Sequence, residues 1–460
     1  MLDLMIWGPI NETFRSKFVI LKEQNDLGIV MKDVRSLLFY IFLFSFIFTI
    51  VIELFPHYTS KLFAPSYSGD ELDSLLIMLR LTAPYLLFNQ FVLLISAILN
   101  AFDVFFVPEI AALISQCLNI VVLICFKDYL GIYSLVVSLY LSTFILMIFQ
   151  LFYVKRLKIP LFSFGSYSFS GFKSFFIFAL PFFVPYFFGQ VNGIIEKSLA
   201  SALDIGTVSM LDFARRIPDT VNTVIISVVL TLLVPKLAKS FANNDKEQFN
   251  RDFTEVYQLG LFALSIFFIF IYNGGQYLIP FLYASKLISS EEFKAISKLS
   301  ILYGLVIYST FTYTLFGMCL LAINKGKYYA TFGTIAQIIV ILLNITFVKY
   351  VSIWIFPISI FVAHILISML MFRKYPFSKL EIYRVTIKYI VFVLLSSMCV
   401  FFIDTYILDK LFLFYKGGNV FSMIKIFVIE TIVITCVGII LKVEELISTF
   451  KFIKKRFSKI

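Results

Sequence analysis

The stretch LNAFDVFFVPEIAALISQCLNI, Leu99–Ile120, decides the fold, because the chain nearly repeats it. Its echo is INKGKYYATFGTIAQIIVILLNI, Ile323–Ile345. Both open on an Asn after an apolar run, Asn100 and Asn324, and cross a short loop with paired aromatics, Phe105–Phe106 and Tyr328–Tyr329. Both then enter an apolar run that holds a Gln, Gln116 or Gln337, and ends Leu-Asn-Ile at Asn119 or Asn344. One insertion reconciles the spacing, and the copies start about 224 residues apart. A weaker echo pairs FRSKFVILKEQND, Phe14–Asp26, with VPKLAKSFANND, Val234–Asp245, at nearly the same offset.

Outward from this repeat, the whole chain reads as membrane-embedded. Of its 460 residues 60% are hydrophobic and 15% charged, and the mean hydropathy is +0.94. A water-soluble globule is nearer half apolar and a quarter charged, so this chain could not cover its own surface with polar groups. About 20 mostly apolar residues cross the hydrocarbon as a helix. Twelve such spans are predicted, at 36–55, 81–101, 104–126, 130–154, 174–195, 212–235, 254–273, 299–322, 329–348, 351–372, 386–407 and 420–441. Strand-period alternation does not compete with them, which excludes a barrel. The fold class is therefore an all-α polytopic membrane protein, with a short amphipathic helical stub before Ser36.

Six spans separate the two copies, an even number, so the copies keep one orientation and form a parallel repeat. The expected organisation is two pseudo-symmetric lobes, residues 1–160 and 161–375, followed by two extra helices and a basic tail over 376–460. Two spans precede the repeat point in the second half, and their first-half counterparts would fall mostly before Met1. The first lobe is thus expected to be incomplete at its start by about one and a half helices.

Loop charge sets the orientation. Alternate loops, beginning with the N-terminal segment, carry 26 Lys and Arg against 10 in the opposite set, so both termini are expected to be cytoplasmic. The net charge of +11 is mostly this signal, and no nucleic-acid partner is expected. The tail KFIKKRFSKI reads as an ordinary cytoplasmic end or as a contact to anionic lipid. The five cysteines, Cys117, Cys125, Cys319, Cys399 and Cys436, all lie in spans without a C-x-x-C pair. They read as small apolar packers, not disulfides or metal ligands. Two distant histidines, His57 and His364, and glycines without a phosphate-loop spacing leave no enzyme signature and no metal site. Two lobes related by a repeat point instead to a transporter, with its substrate site near the midplane.

Three stretches resemble the MurJ (MviN) lipid II flippase family, of the multidrug/oligosaccharidyl-lipid/polysaccharide exporter superfamily. LRLTAPYLLFNQFVLLISAILNAFDVFFVPEIAALI, Leu79–Ile114, is similar to the family's fourth and fifth helices, and GQVNGIIEKSLASAL, Gly189–Leu203, to its seventh. VSMLDFARRIPDTVNTVIISVVLTLLVPKLAKSF, Val208–Phe241, resembles its eighth, where aromatic-Ala-x-Arg precedes an apolar run. The resemblance implies a flippase of the bacterial inner membrane, driven by membrane potential or Na+ and without a further cofactor. It would move an undecaprenyl-pyrophosphate-linked disaccharide pentapeptide to the outer leaflet for peptidoglycan synthesis. The head would sit in a cationic cavity, and the tail in a groove made with the last two helices. An O-antigen or exopolysaccharide repeat-unit flippase is one alternative; a MATE-like small-molecule antiporter and a degenerate, non-transporting homologue are the others. The partners are then a lipid-linked oligosaccharide and membrane lipid.

Arg216 aligns with the family's eighth-helix arginine and is the candidate pyrophosphate ligand, since a guanidinium offers paired, permanently charged donors. The competing reading is an interfacial anchor, because about 1.5 Å per residue puts Arg216 some 30 Å from Lys236, near the outer surface. Arg215 is expected to pair locally with Asp219, and Asp212 with Arg216, both at i, i+4. Pro218 is expected to break or kink the helix. The amides Gln190, Asn192, Asn89 and Gln116 are candidates to line the cavity and bind sugar hydroxyls, or to bridge helices. By the resemblance, Glu196 and Asn344 are a weak ion-binding pair, with apolar Val340 one turn before Asn344. Pro181 and Pro185 are candidate hinge residues. Lys425 is expected to snorkel or pair, with Glu430 deeper in its span.

Overall fold

The computed structural model describes residues 26–63, 69–102, 104, 106–161, 167–203, 206–243, 245–283, 289–323, 325–375, 379–408, 418–443 and 445–446, with residues 8–10, 13–14, 17–18 and 21 before them. The basic tail lies outside the described residues. The described elements are helices: α1 (Leu27–Leu54), α2 (Pro56–Phe63), α3 (Asp70–Thr82), α4 (Tyr85–Ala101), α5 (Phe106–Leu130), α6 (Ser134–Arg156), α7 (Phe169–Ser201), α8 (Thr207–Ala242), α9 (Lys246–Leu282), α10 (Ser290–Ala322), α11 (Gly326–Val351), α12 (Ile355–Arg373), α13 (Leu380–Phe402) and α14 (Asn419–Ile440). Each of the twelve predicted spans coincides with one of these, the second straddling the α3–α4 break and the eleventh running on into a π-turn at Ile403–Leu408. By length and composition, seven continuous segments qualify to cross a membrane, or nine with each bent pair taken as one; two of the seven, Phe106–Arg156 and Gly326–Arg373, each hold two of these helices.

The repeat survives as architecture. α4 and α5 are joined by a tight turn in which the Val104 N–H donates to the Leu99 carbonyl at 3.0 Å, and α10 and α11 by one in which the Lys325 N–H donates to the Leu320 carbonyl at 2.7 Å. Both copies then end on a three-residue 3-10 turn, Gly131–Tyr133 or Ser352–Trp354, that leads into α6 or α12. The first residue of each turn has a left-handed backbone, φ +54° at Gly131 and +55° at Ser352. Glycine adopts this without a Cβ clash, whereas serine is strained there.

The chain divides into two compact units, residues 1–190 and 191–460. In the first, the core joins the stub to α1, α4 and α7. Ile10, Phe14, Phe18 and Leu21 are spaced at helical intervals, and all four are buried, so the amphipathic stub puts its apolar stripe inward. Phe14 stacks on Phe175 of α7 at 5.4 Å between centroids. The α3–α4 pair is bent by 42° at Pro84, which lacks an amide donor. A side chain from a neighbouring helix serves a carbonyl at the break: Tyr140 Oη donates to Leu81 O at 2.9 Å, while Thr49 Oγ1, whose shorter bond is to Ser45 O at 2.9 Å, lies 3.3 Å from Ala83 O. In the second unit, α8 packs on α10 and α9, while α13 and α14 pack on α9 and on each other. Large apolar side chains remain exposed along these helices, among them Leu342, Leu394, Met398 and Ile432. In water they would be a liability; against lipid tails they are at home.

Candidate functional site

α8 carries Asp212, Arg215, Arg216 and Asp219, and it stays helical through Pro218 from Thr207 to Ala242. The expected break is absent for a local reason. Pro218 has no N–H to give the carbonyl of Ala214, one turn before it. Ser300 Oγ of α10 donates to that carbonyl instead, at 2.9 Å. Ala214 and Leu211 are buried on this side, so the opposite face of α8 is left for the charges.

That face does not pair as expected. Arg215 does not take Asp219 as its direct partner. Its Nη1 lies 2.9 Å from Glu196 Oε1 on α7, and its Nη2 lies 2.5 Å from Asp212 Oδ1. The Glu196 side chain is 7% exposed, Arg215 27% and Asp212 46%, so the deeper bond is the one between helices. Tyr303 of α10, buried, lies within electrostatic reach of both Glu196 and Arg215. Arg216, by contrast, is exposed and makes no ion pair among the described residues, with Asp212 or otherwise. It opens onto a concavity of about 540 Å³ lined by Asp212, Arg215, Arg216, Asp219, Thr220, Thr223 and Val224, all of α8. One arginine is thus neutralised by structure, and its neighbour keeps an available charge.

The other sequence candidates separate. Asn192 is buried on α7 one turn before Glu196, and its Nδ2 donates to Gln337 Oε1 of α11 at 3.3 Å. It therefore bridges helices. Gln190 is half-buried on α7. Asn89 and Gln116 belong to the first unit; Asn89 accepts from Tyr85 Oη at 3.5 Å, and Gln116 is exposed. Asn344 is buried, with both amide atoms lacking a hydrogen-bond partner among the described residues. An ion shared by Glu196 and Asn344 does not fit the Glu196 end, where a guanidinium already holds the carboxylate. α7 bends by 64° between Phe169–Leu180 and Phe183–Ser201. Pro185 follows the bend, half-buried, while the side chain of Pro181 lies outside the described residues. Lys425 pairs with Asp404 at 2.7 Å, not with Glu430.

Sequence reasoning missed Ser300 and Tyr303; the resemblance implied a groove made with the last two helices, and the apolar groove of the second unit uses α13 but not α14. That groove encloses about 510 Å³ between α9, α10, α12 and α13, and Leu261, Phe268, Leu305, Phe361, Val393 and Met398 are among its lining residues. Its lining comes from four helices spread over residues 257–401, so no local spacing reveals it.

A chain of repeated apolar helices, seven or more of them long and apolar enough to cross a bilayer, is a multi-pass membrane protein. A family model described as lipid II flippase MurJ matches residues 8–428. The chain belongs to that family, one of flippases and not of enzymes. A probable lipid II flippase MurJ of Buchnera aphidicola subsp. Schizaphis graminum (strain Sg) is 25% identical over 255 residues, 53% of this chain and 48% of the relative. The chain thus spans about half the length of that curated relative. Among solved structures, a lipid II flippase MurJ in an inward closed conformation is similar with a TM-score of 0.74 and 19% identity, over 95% of this chain and 89% of the other. An inward-facing multidrug resistance MATE family transporter of the MOP superfamily is similar with a TM-score of 0.65 and 14% identity, over 81% and 87%. These two likenesses show the fold.

Proposed function

We propose that the protein carries a lipid II-like precursor, an undecaprenyl-pyrophosphate-linked glycan, from the cytoplasmic to the outer leaflet of the bacterial inner membrane by alternating access, for peptidoglycan synthesis. The observation that carries this reading, within the family, is Arg216: a permanently charged, exposed donor at a polar concavity, beside an arginine whose charge is already met. A guanidinium there suits a pyrophosphate, whose oxygens accept paired N–H bonds. The apolar groove against α13 suits part of an isoprenoid tail. The Lys and Arg excess of alternate loops supports cytoplasmic termini. The Glu196–Arg215 pair favours membrane potential over sodium as the driving force, because a second cation at that carboxylate would meet the guanidinium. Arg216→Ala is expected to abolish rescue of a flippase-depleted strain while the protein still inserts in the membrane. Normal rescue by that variant would overturn the substrate role.

A further inference from the structure

The concavity on α8 is built for more than an anion. Arg216 supplies its free donors, yet the rest of the face offers acceptors. Asp219, three residues on, is exposed and has no ion pair within 4 Å among the described residues. Thr220 and Thr223 are exposed too, and their hydroxyl protons are committed: Thr220 Oγ1 donates to Arg216 O at 2.7 Å and Thr223 Oγ1 to Asp219 O at 2.8 Å. A hydroxyl that has given its proton to the helix turn below keeps lone pairs, so outwardly it accepts. At 100° per residue, Arg216, Asp219, Thr220 and Thr223 share one side of the helix, and from Asp212 to Thr223 the stripe runs about 16 Å. A bare phosphate would gain at Arg216 and be repelled at Asp219. A ligand that suits the whole face is an anion with hydrogen-bond donors attached a few ångströms away.

We infer that this face reads the sugar as well as the phosphate: Arg216 takes the pyrophosphate, and Asp219, Thr220 and Thr223 accept hydrogen bonds from the hydroxyl and amide N–H groups of the glycan joined to it. Asp219 then gives specificity for glycosylated over unglycosylated pyrophosphate lipid. It would repel the naked anion and reward the donors of the sugar. This rests on the flippase reading above, and the test separates the two.

The full chain in nanodiscs is titrated with undecaprenyl pyrophosphate and with the same lipid carrying its disaccharide. The wild type should prefer the disaccharide form. Asp219→Asn should weaken disaccharide binding about tenfold or more, the scale of a hydrogen bond to a charged group, and leave the sugar-free lipid unchanged or tighter. Thr220→Val with Thr223→Val should cost about fivefold per neutral bond lost, again for the disaccharide form alone. Thr220→Ser with Thr223→Ser keeps the acceptors and should restore the preference, which separates recognition from a folding defect. If the Asp219 and threonine variants leave the preference intact, or weaken both lipids equally, sugar reading is wrong; Arg216→Ala weakening both lipids would still uphold the flippase reading. If Arg216→Ala weakens neither lipid, the pyrophosphate role of Arg216, the observation that carries the proposed function, fails.

Discussion

Replacing Glu196 by Gln keeps the shape of the side chain and removes its charge, leaving Arg215 with Asp212 alone. The two bonds of Arg215 differ in depth, with acid side chains 7% exposed for Glu196 and 46% for Asp212. Removing one partner of a buried ion pair costs about 3–5 kcal/mol, because the other charge is left in a low-dielectric site. Arg215 is itself 27% exposed and keeps Asp212, so the lower part of that range applies, about 3 kcal/mol or two decades in the unfolding equilibrium. Asp212→Asn touches a half-exposed pair, for which screening limits the loss to less than about 1 kcal/mol. The assay is denaturant unfolding of purified protein in detergent micelles, followed by aromatic fluorescence. In the double variant Glu196→Gln with Arg215→Gln, part of the loss should return, since no orphan cation remains. Equal losses from Glu196→Gln and Asp212→Asn would refute the reasoning, as would a larger loss from the latter. Exchanging sodium for potassium chloride should leave the wild-type transition where it is; a sodium-specific upward shift that Glu196→Gln abolishes would instead make Glu196 an ion ligand.

Other substitutions test the packing of the second unit. Ser300→Ala takes the side-chain donor from the Ala214 carbonyl beside Pro218 and should cost about 1–2 kcal/mol in the same unfolding assay; no loss would mean the carbonyl has another donor. Gly317→Ala places a Cβ into the Tyr329 ring where α10 meets α11, and overpacking of this kind costs about 1–3 kcal/mol, read as a lower transition midpoint. Lys425→Gln leaves Asp404 unpaired near the ends of α13 and α14, where both side chains are 13% exposed. It should destabilise by about 3 kcal/mol, and Asp404→Asn added to it should recover part of that; absence of recovery would argue against the pair.

The spans were legible because crossing a bilayer is a one-dimensional demand, about 20 apolar residues in a row. The repeat was legible for a similar reason, as its marks, the Asn, the paired aromatics and the Gln, sit at nearly fixed offsets along the chain. What stayed hidden depends on neighbours. Helical spacing offered Arg215 the nearby Asp219, but its deeper partner Glu196 stands 19 residues away on α7. Asn192 looked equally able to bind sugar or to bridge helices, and Gln337, 145 residues on, takes its amide. Pro218 announced a break that Ser300, 86 residues from Ala214, prevents. No propensity scale contains such a side chain from another helix.

That bond has a mechanical consequence. Along most of a helix the rungs belong to the helix itself, so a neighbour can slide or roll past at the expense of side-chain packing alone. At Ala214 the rung is lent by α10. Any roll of α8 that carried Arg216 to a new direction would strip that carbonyl of its donor in a medium with little water to replace it. α8 and α10 are thereby coupled: turning the arginine-bearing face without α10 costs that bond, about 1–2 kcal/mol, and turning the two helices together keeps it.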